Sequence, residues 1–171
     1  MPKLIYKNGT LSIYEMPFRH KNKIAKFVRI YERDAAVIVA VKDDGKIILE
    51  RQFRPAIRRW IYELPAGHLN KRETYSRAAK RELEEETGYS PKRVIRMFVG
   101  YPSPAALDHK EGFFIATGLV KGKRNLDPDE MIEIKEVSVS QALKMIKSNL
   151  IIDNKSIAGI LYYYYVYHKK P

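Results

Sequence analysis

At 171 residues, with 45% hydrophobic and 30% charged residues, the chain has the length and balance of one soluble globular domain with a sizeable core. Its formal net charge of +12 attracts phosphates of any kind, from nucleic acid to phosphorylated small molecules, and equally suits a solvated basic coat. The absence of cysteine excludes disulfides, thiolate nucleophiles and Cys-ligated zinc, which leaves any metal to oxygen ligands and the four histidines.

In chain order, Asn8-Gly9 separates the apolar stretches 4–6 and 11–14 and predicts a hairpin with a type I′ turn. A strand is expected over residues 24–31. Asp44-Gly45 gives a second hairpin signal between residues 35–41 and 47–53; the first of these is apolar throughout and reads as a strand covered on both faces. Further strands are expected at 61–64, 94–99, 113–116 and 132–139. A helix is expected over 74–87, stopped by Gly88 as a left-handed cap. A second follows Ser140 through Ala142, Leu143 and Ile146. A third begins near Ser156 and carries the tyrosines of 162–165, which are assigned to core and interface packing.

Strands mixed with helices define an α+β chain with a mixed sheet packed between helices. Residues 1–33 read as a strand-rich appendage and 34–171 as the main domain. The apolar runs 35–41 and 160–167 fall short of the roughly 20 residues a bilayer helix needs, and no stretch near the start resembles a signal peptide. A cytoplasmic protein with no membrane partner is therefore expected.

The chemistry concentrates in residues 67–89. Glu82, Glu85 and Glu86 are spaced i, i+3 and i+4 and share one helix face, whereas Glu84 points elsewhere. Ala79 and Leu83 suit the buried face. Like charges at this spacing cost about 0.2–0.5 kcal/mol each, and they lie at the end of the helix where its dipole is already negative. A charge run alone is commonly a solvated face. A bound divalent cation would remove the repulsion, and oxygen ligands with open water positions suit Mg²⁺ or Mn²⁺.

The fuller pattern is more specific. Gly67, Glu73, Arg81, Glu82, Glu85, Glu86 and Gly88, with bulky Leu83 and Tyr89 between and after them, resemble the Nudix box at every fixed position. The resemblance implies an α/β/α sandwich and a metal-assisted pyrophosphohydrolase. It implies metal ligation by Glu82, Glu85, Glu86 and the Ala66 carbonyl, with Glu85 and Glu86 central to catalysis. Arg81 and Glu73 would pair to brace the helix.

The flanks resemble the ADP-ribose pyrophosphatase subfamily. They are Arg51-Gln52-Phe53-Arg54-Pro55, Glu63-Leu64-Pro65-Ala66-Gly67, and Pro104 fifteen residues past Tyr89. That likeness implies hydrolysis of ADP-ribose, or a related ADP-sugar, to AMP and ribose 5-phosphate. Arg54 and then Arg51 are candidates to grip a substrate phosphate or terminal ribose, and Glu63 a candidate ribose acceptor. Tyr14, Phe18, Phe27 and Tyr31 are candidate adenine-stacking residues. The likeness also implies a homodimer built by residues 1–33.

One departure stands in the loop after Pro104, where the subfamily usually has a Glu near the position of His109. Glu111 is the first candidate for the general base, with Asp108 and His109 as alternatives. The competing readings are a Nudix hydrolase of another nucleotide, such as a dinucleoside polyphosphate or an RNA cap, and a catalytically silent nucleotide-binding regulator. The basic charge keeps nucleic acid in play, but no RNA-recognition motif accompanies it.

Overall fold

Three antiparallel strands open the chain: β1 (Lys3–Asn8), β2 (Leu11–His20) and β3 (Lys23–Tyr31). The computed structural model to which they belong describes residues 1–128 and 130–168, so the last three residues of the expected 34–171 domain lie outside the described residues. Asn8 pairs with Leu11, which makes Gly9-Thr10 the loop, and of these two only Gly9 has positive φ, at 52°. The expected type I′ turn needs positive φ at both central positions, so it does not form; glycine in first place suits a type II′ turn instead.

The strands that build the core follow: β4 (Ala35–Ala40), β5 (Ile47–Arg54), β6 (Arg59–Glu63) and β7 (Ala66–His68). Helix α1 (Tyr75–Thr87) leads into β8 (Tyr89–Gly100), the short β9 (Leu107–Asp108), β10 (Glu111–Lys121) and β11 (Ile132–Val137). Helices α2 (Val139–Lys147) and α3 (Asn154–Tyr163) finish the fold, followed by a π-helical turn at Tyr164–His168.

Among the described residues the strands form three sheets in the orders β1-β2-β3-β9, β7-β4-β10-β8 and β11-β5-β6. The central sheet is mixed, because β10 runs parallel to β4 and antiparallel to β8. The second expected hairpin is realised only at its tip. Gly45 turns the chain with φ 77°, Val41 bridges Ile47, and the two strands then part into different sheets.

The uninterrupted apolar run of β4 is explained by what covers it. Alternate residues face opposite sides of a strand. Val37 and Val39 pack with Ala142, Met145 and Ile160 on the α2–α3 side, while Ala36, Ile38 and Ala40 pack with Ala78, Ala79 and Leu83 of α1. β10 divides the same way, Phe113 and Ile115 to one side, Phe114 and Ala116 to the other. The result is helix, sheet, helix. Tyr162 packs at a tilt against Phe98, which is itself stacked on Phe113, and Tyr163 is buried, so part of the tyrosine run is core.

Candidate active site

Local chemistry sets α1 in place before any site exists. The Thr74 hydroxyl accepts from Arg77 N–H at the start of the helix. At the end, Gly88 takes φ 75° and donates to Glu84 O, closing the helix in the conformation glycine adopts without strain. The segment from Gly122 to Asn125 then wraps the helix end. Asn125 N–H donates to Glu85 O, and Arg124 donates to Glu86 O through Nε and to Ile132 O through Nη2. Carbonyls that a helix terminus leaves without partners are thereby satisfied, and a cation sits at the negative end of the dipole.

The acidic face of α1 is pressed against β7. Ala66 N–H donates to Glu86 Oε2 at 3.0 Å. A Cβ built on Gly67 would overlap the Glu82 carboxylate, so glycine there leaves that carboxylate its place against the strand. Together Ala66, Gly67, Glu82, Glu85 and Glu86 line a cleft of about 480 Å³. Glu82 and Glu86 are buried. Burial pushes the Glu82 carboxyl up to about 7, against the pull of Arg81. Burial, then the neighbouring charges of Glu50 and Glu82, hold Glu86 well above the usual carboxylate range.

Glu50, on the central strand of its sheet, adds to this crowding. It is buried, its carboxyl is pushed up to about 8 by burial and then by Glu63, and its Oε1 has no hydrogen-bond partner among the described residues. A cleft lined by buried carboxylates driven toward protonation, with the unpartnered Glu50 carboxylate acting on Glu86 from beside it, fits a hard divalent cation. The residues that could hold one are Glu82, Glu85 and Glu86, with the Ala66 backbone, all of which border the cleft.

Arg81 sits at the centre of the ion pairs. It donates to both oxygens of Glu73 at 3.0 and 2.9 Å, and to Glu85 at 2.8 Å, Glu82 at 2.8 Å and the carbonyl of His68 at 2.9 Å. It thus ties the loop before α1 to two of the acidic side chains. Arg54 lines the same cleft and donates to both oxygens of Glu63 at 2.6 and 2.7 Å. Glu63 also receives Lys155, so both its oxygens are engaged, and its carboxyl lies below the usual range although burial opposes this.

The other expected residues divide. Glu111 and His109 line the cleft, whereas Asp108 turns away and pairs with Arg29. Arg51 is not in the cleft lining. Strand alternation sends it to the face opposite Gln52 and Arg54, where it bonds Glu133 at 2.9 Å and stacks on Trp60 at 4.7 Å. None of Tyr14, Phe18, Phe27 and Tyr31 is among the cleft-lining residues.

The sequence reading missed Glu50, Lys155, Asp153, Asn125, Asp127 and Glu130. Glu50 had a signal, a carboxylate directly after the apolar Ile47-Ile48-Leu49 of a central strand. Lys155, with Asp153 at the start of the same helix, lies 92 residues from Glu63, and only the topology joins them.

A helix whose buried carboxylates meet a glycine-floored strand, inside a cleft faced by Arg and Lys, defines a metal-dependent enzyme of phosphate chemistry. The NUDIX domain model matches residues 31–157, and the chain belongs to the Nudix family. It is 37% identical over 164 residues to the ADP-ribose pyrophosphatase of Bacillus subtilis (strain 168), covering 92% of this chain and 87% of that one. It is 31% identical over 172 residues to a GDP-mannose pyrophosphatase of Citrobacter koseri, covering 93% of this chain and 82% of that one. The solved structure of an ADP compounds hydrolase superposes with a TM-score of 0.83 at 16% identity, covering 94% of this chain and 91% of the other, and shares the fold.

Proposed function

We propose that this chain is a Mg²⁺- or Mn²⁺-dependent pyrophosphohydrolase that cleaves ADP-ribose, or a closely related ADP-sugar, to AMP and the sugar phosphate. The observation that carries the reading is the convergence of Glu82, Glu85 and Glu86 with the Ala66 backbone in one cleft. The ADP-ribose pyrophosphatase name of a relative alignable over 92% of this chain supports the substrate.

A bound cation would neutralise pyrophosphate oxygens and acidify the attacking water. The remaining work falls to the chain. Arg81 holds the acidic side chains in register. Arg54 and Lys155, both anchored on Glu63, present positive charge to a substrate phosphate or ribose. Glu111 is the proposed base: it accepts the water proton as the oxygen adds to phosphorus and the bridging P–O bond breaks, releasing the second phosphate. Glu63 holds Arg54 and Lys155 rather than reaching for the ribose itself.

A homodimer is part of the proposal. β1 to β3 leave Leu4, Ile5, Phe18, Ile24, Phe27 and Val28 exposed, and no Phe, Tyr or Trp lines the cleft among the described residues. A partner's N-terminal sheet would cover the one and supply the stacking aromatic to the other. The cytoplasm is the proposed location; among the described residues no helix is long and apolar enough to cross a membrane.

Product analysis tests the reading. The purified protein is incubated with ADP-ribose, ADP-glucose, GDP-mannose, diadenosine polyphosphates and capped RNA, with and without Mg²⁺. AMP and ribose 5-phosphate, formed fastest from ADP-ribose and only with Mg²⁺, are expected. Glu86→Gln should keep the fold and lower kcat by at least about 10²-fold, the scale of losing a charged catalytic group. Faster turnover of another panel member moves the substrate. Nucleotide binding without turnover of any member makes the chain a regulator.

A further inference from the structure

We propose that Glu32, His68 and His109 form a second cation site in the same cleft, selective for a borderline divalent ion of the Zn²⁺ type. Each offers one ligand atom, and all three atoms lie within 4.8 Å of one another. None belongs to the acidic set of α1. Two imidazoles and one carboxylate prefer Zn²⁺ and its neighbours, whereas the all-oxygen set of α1 prefers Mg²⁺.

The geometry carries the assignment. His109 Nδ1 lies 2.6 Å from the carbonyl of Arg33. A carbonyl only accepts, so Nδ1 holds a proton, and Nε2, which faces Glu111 Oε1 at 3.9 Å, is the nitrogen left to bind a metal. That is how metal-binding histidines are commonly oriented. His68 Nε2 and Glu32 Oε1 are 3.2 Å apart. Two ligands about 2.0–2.1 Å from a tetrahedral ion are separated by ~3.3 Å, so this pair already spans one edge of such a site. The two rings approach edge to face at 72°, which lets both nitrogens converge without stacking.

The backbone holds the three in place. The segment between β3 and β4 is bound on both sides: Glu32 N–H donates to Asp108 O, Leu69 N–H to Asp34 O, and Lys110 N–H to the Asp34 carboxylate. Ala35 pairs with His68 on one side and Glu111 on the other. Three separate stretches of chain thus deliver one ligand each to a prearranged point. All three side chains border the cleft, so a fourth position is left for water or a substrate oxygen.

The test is calorimetric titration of metal-stripped, tag-free protein with Zn²⁺ in excess Mg²⁺. One Zn²⁺ per chain is expected. His68→Ala, half-exposed and so tolerant of truncation, should weaken binding by more than about 100-fold, since even losing an outer hydrogen-bond partner costs 10–100-fold. Glu32→Gln should weaken it less but clearly, and Glu86→Gln should leave it unchanged. Absent Zn²⁺ binding in excess Mg²⁺, or binding lost in Glu86→Gln and kept in His68→Ala, overturns the site and makes Glu32–His68 a simple hydrogen-bonded pair. The readout is independent of turnover: ADP-ribose hydrolysis without Zn²⁺ binding sinks only this proposal, and Zn²⁺ binding without hydrolysis sinks only the other.

Discussion

Glu82 and Glu86 carry opposing demands. Their burial beside other carboxylates disfavours charge, yet a cation can only be held by the charged form. In the metal-free protein their folded pKa values lie above the ordinary 4.5, at about 7 for Glu82 and well above 4.5 for Glu86. Groups with raised folded values stabilise fully below the unfolded value and lose that stabilisation as pH rises through the folded one. The Tm of metal-free protein should therefore fall as pH rises from about 4.5 to above 7. Added Mg²⁺ should raise Tm more at the alkaline end than at the acidic end. Scanning calorimetry across this range, with and without Mg²⁺, checks both; a Mg²⁺ effect independent of pH would mean that these carboxylates do not ligate it. The acidic triad was legible because helical spacing alone puts i, i+3 and i+4 on one face. Lys155 was not, since its pairing with Glu63 follows from helix docking, and Glu50 was legible only as a carboxylate after an apolar strand segment, its approach to Glu86 following from strand order.

At the scale of the element, α1 depends on how it stops. Gly88 holds a left-handed φ, and a Cβ there would lie 3.1 Å from Arg124 Cγ and 3.2 Å from its backbone nitrogen. Gly88→Ala should destabilise the protein by about 1 kcal/mol or more. In a chain of this size that lowers Tm by roughly 2–4 °C per kcal/mol, measurable by thermal denaturation. An unchanged Tm would show that the helix end relaxes freely. The stop itself was readable in sequence, as were all three helices and the longer strands. β7 and β9 were not: three and two residues are too short to show alternation, and they exist because β4 and β3 offer them an edge. The failed type I′ turn has a similar cause, since pairing of Asn8 with Leu11 moves the loop one residue on.

Across the whole molecule, one core is closed on both faces while the N-terminal sheet is left bare. Large apolar side chains exposed together on β1 to β3 argue for a second copy. Light scattering should give twice the chain mass, and Ile24→Glu, which puts a charge on that surface, should shift the protein toward the monomer and reduce turnover if the partner completes the cleft. A monomeric wild type would remove the dimer from the proposal and leave the α1 site untouched. The sandwich was legible from the all-apolar run of β4, which has no stable home except between two layers.

Arg124 belongs to none of these functional sets, yet it fastens Glu86 O to Ile132 O with one guanidinium. The segment that carries it is therefore a ruler as well as a wrapping. Inserting or deleting a residue there would pull the fastening out of reach of both carbonyls and re-aim the last helical turn. Evolutionary change in chain length should accordingly avoid this stretch and collect at open turns such as that between His20 and Lys23, where added residues would meet only solvent.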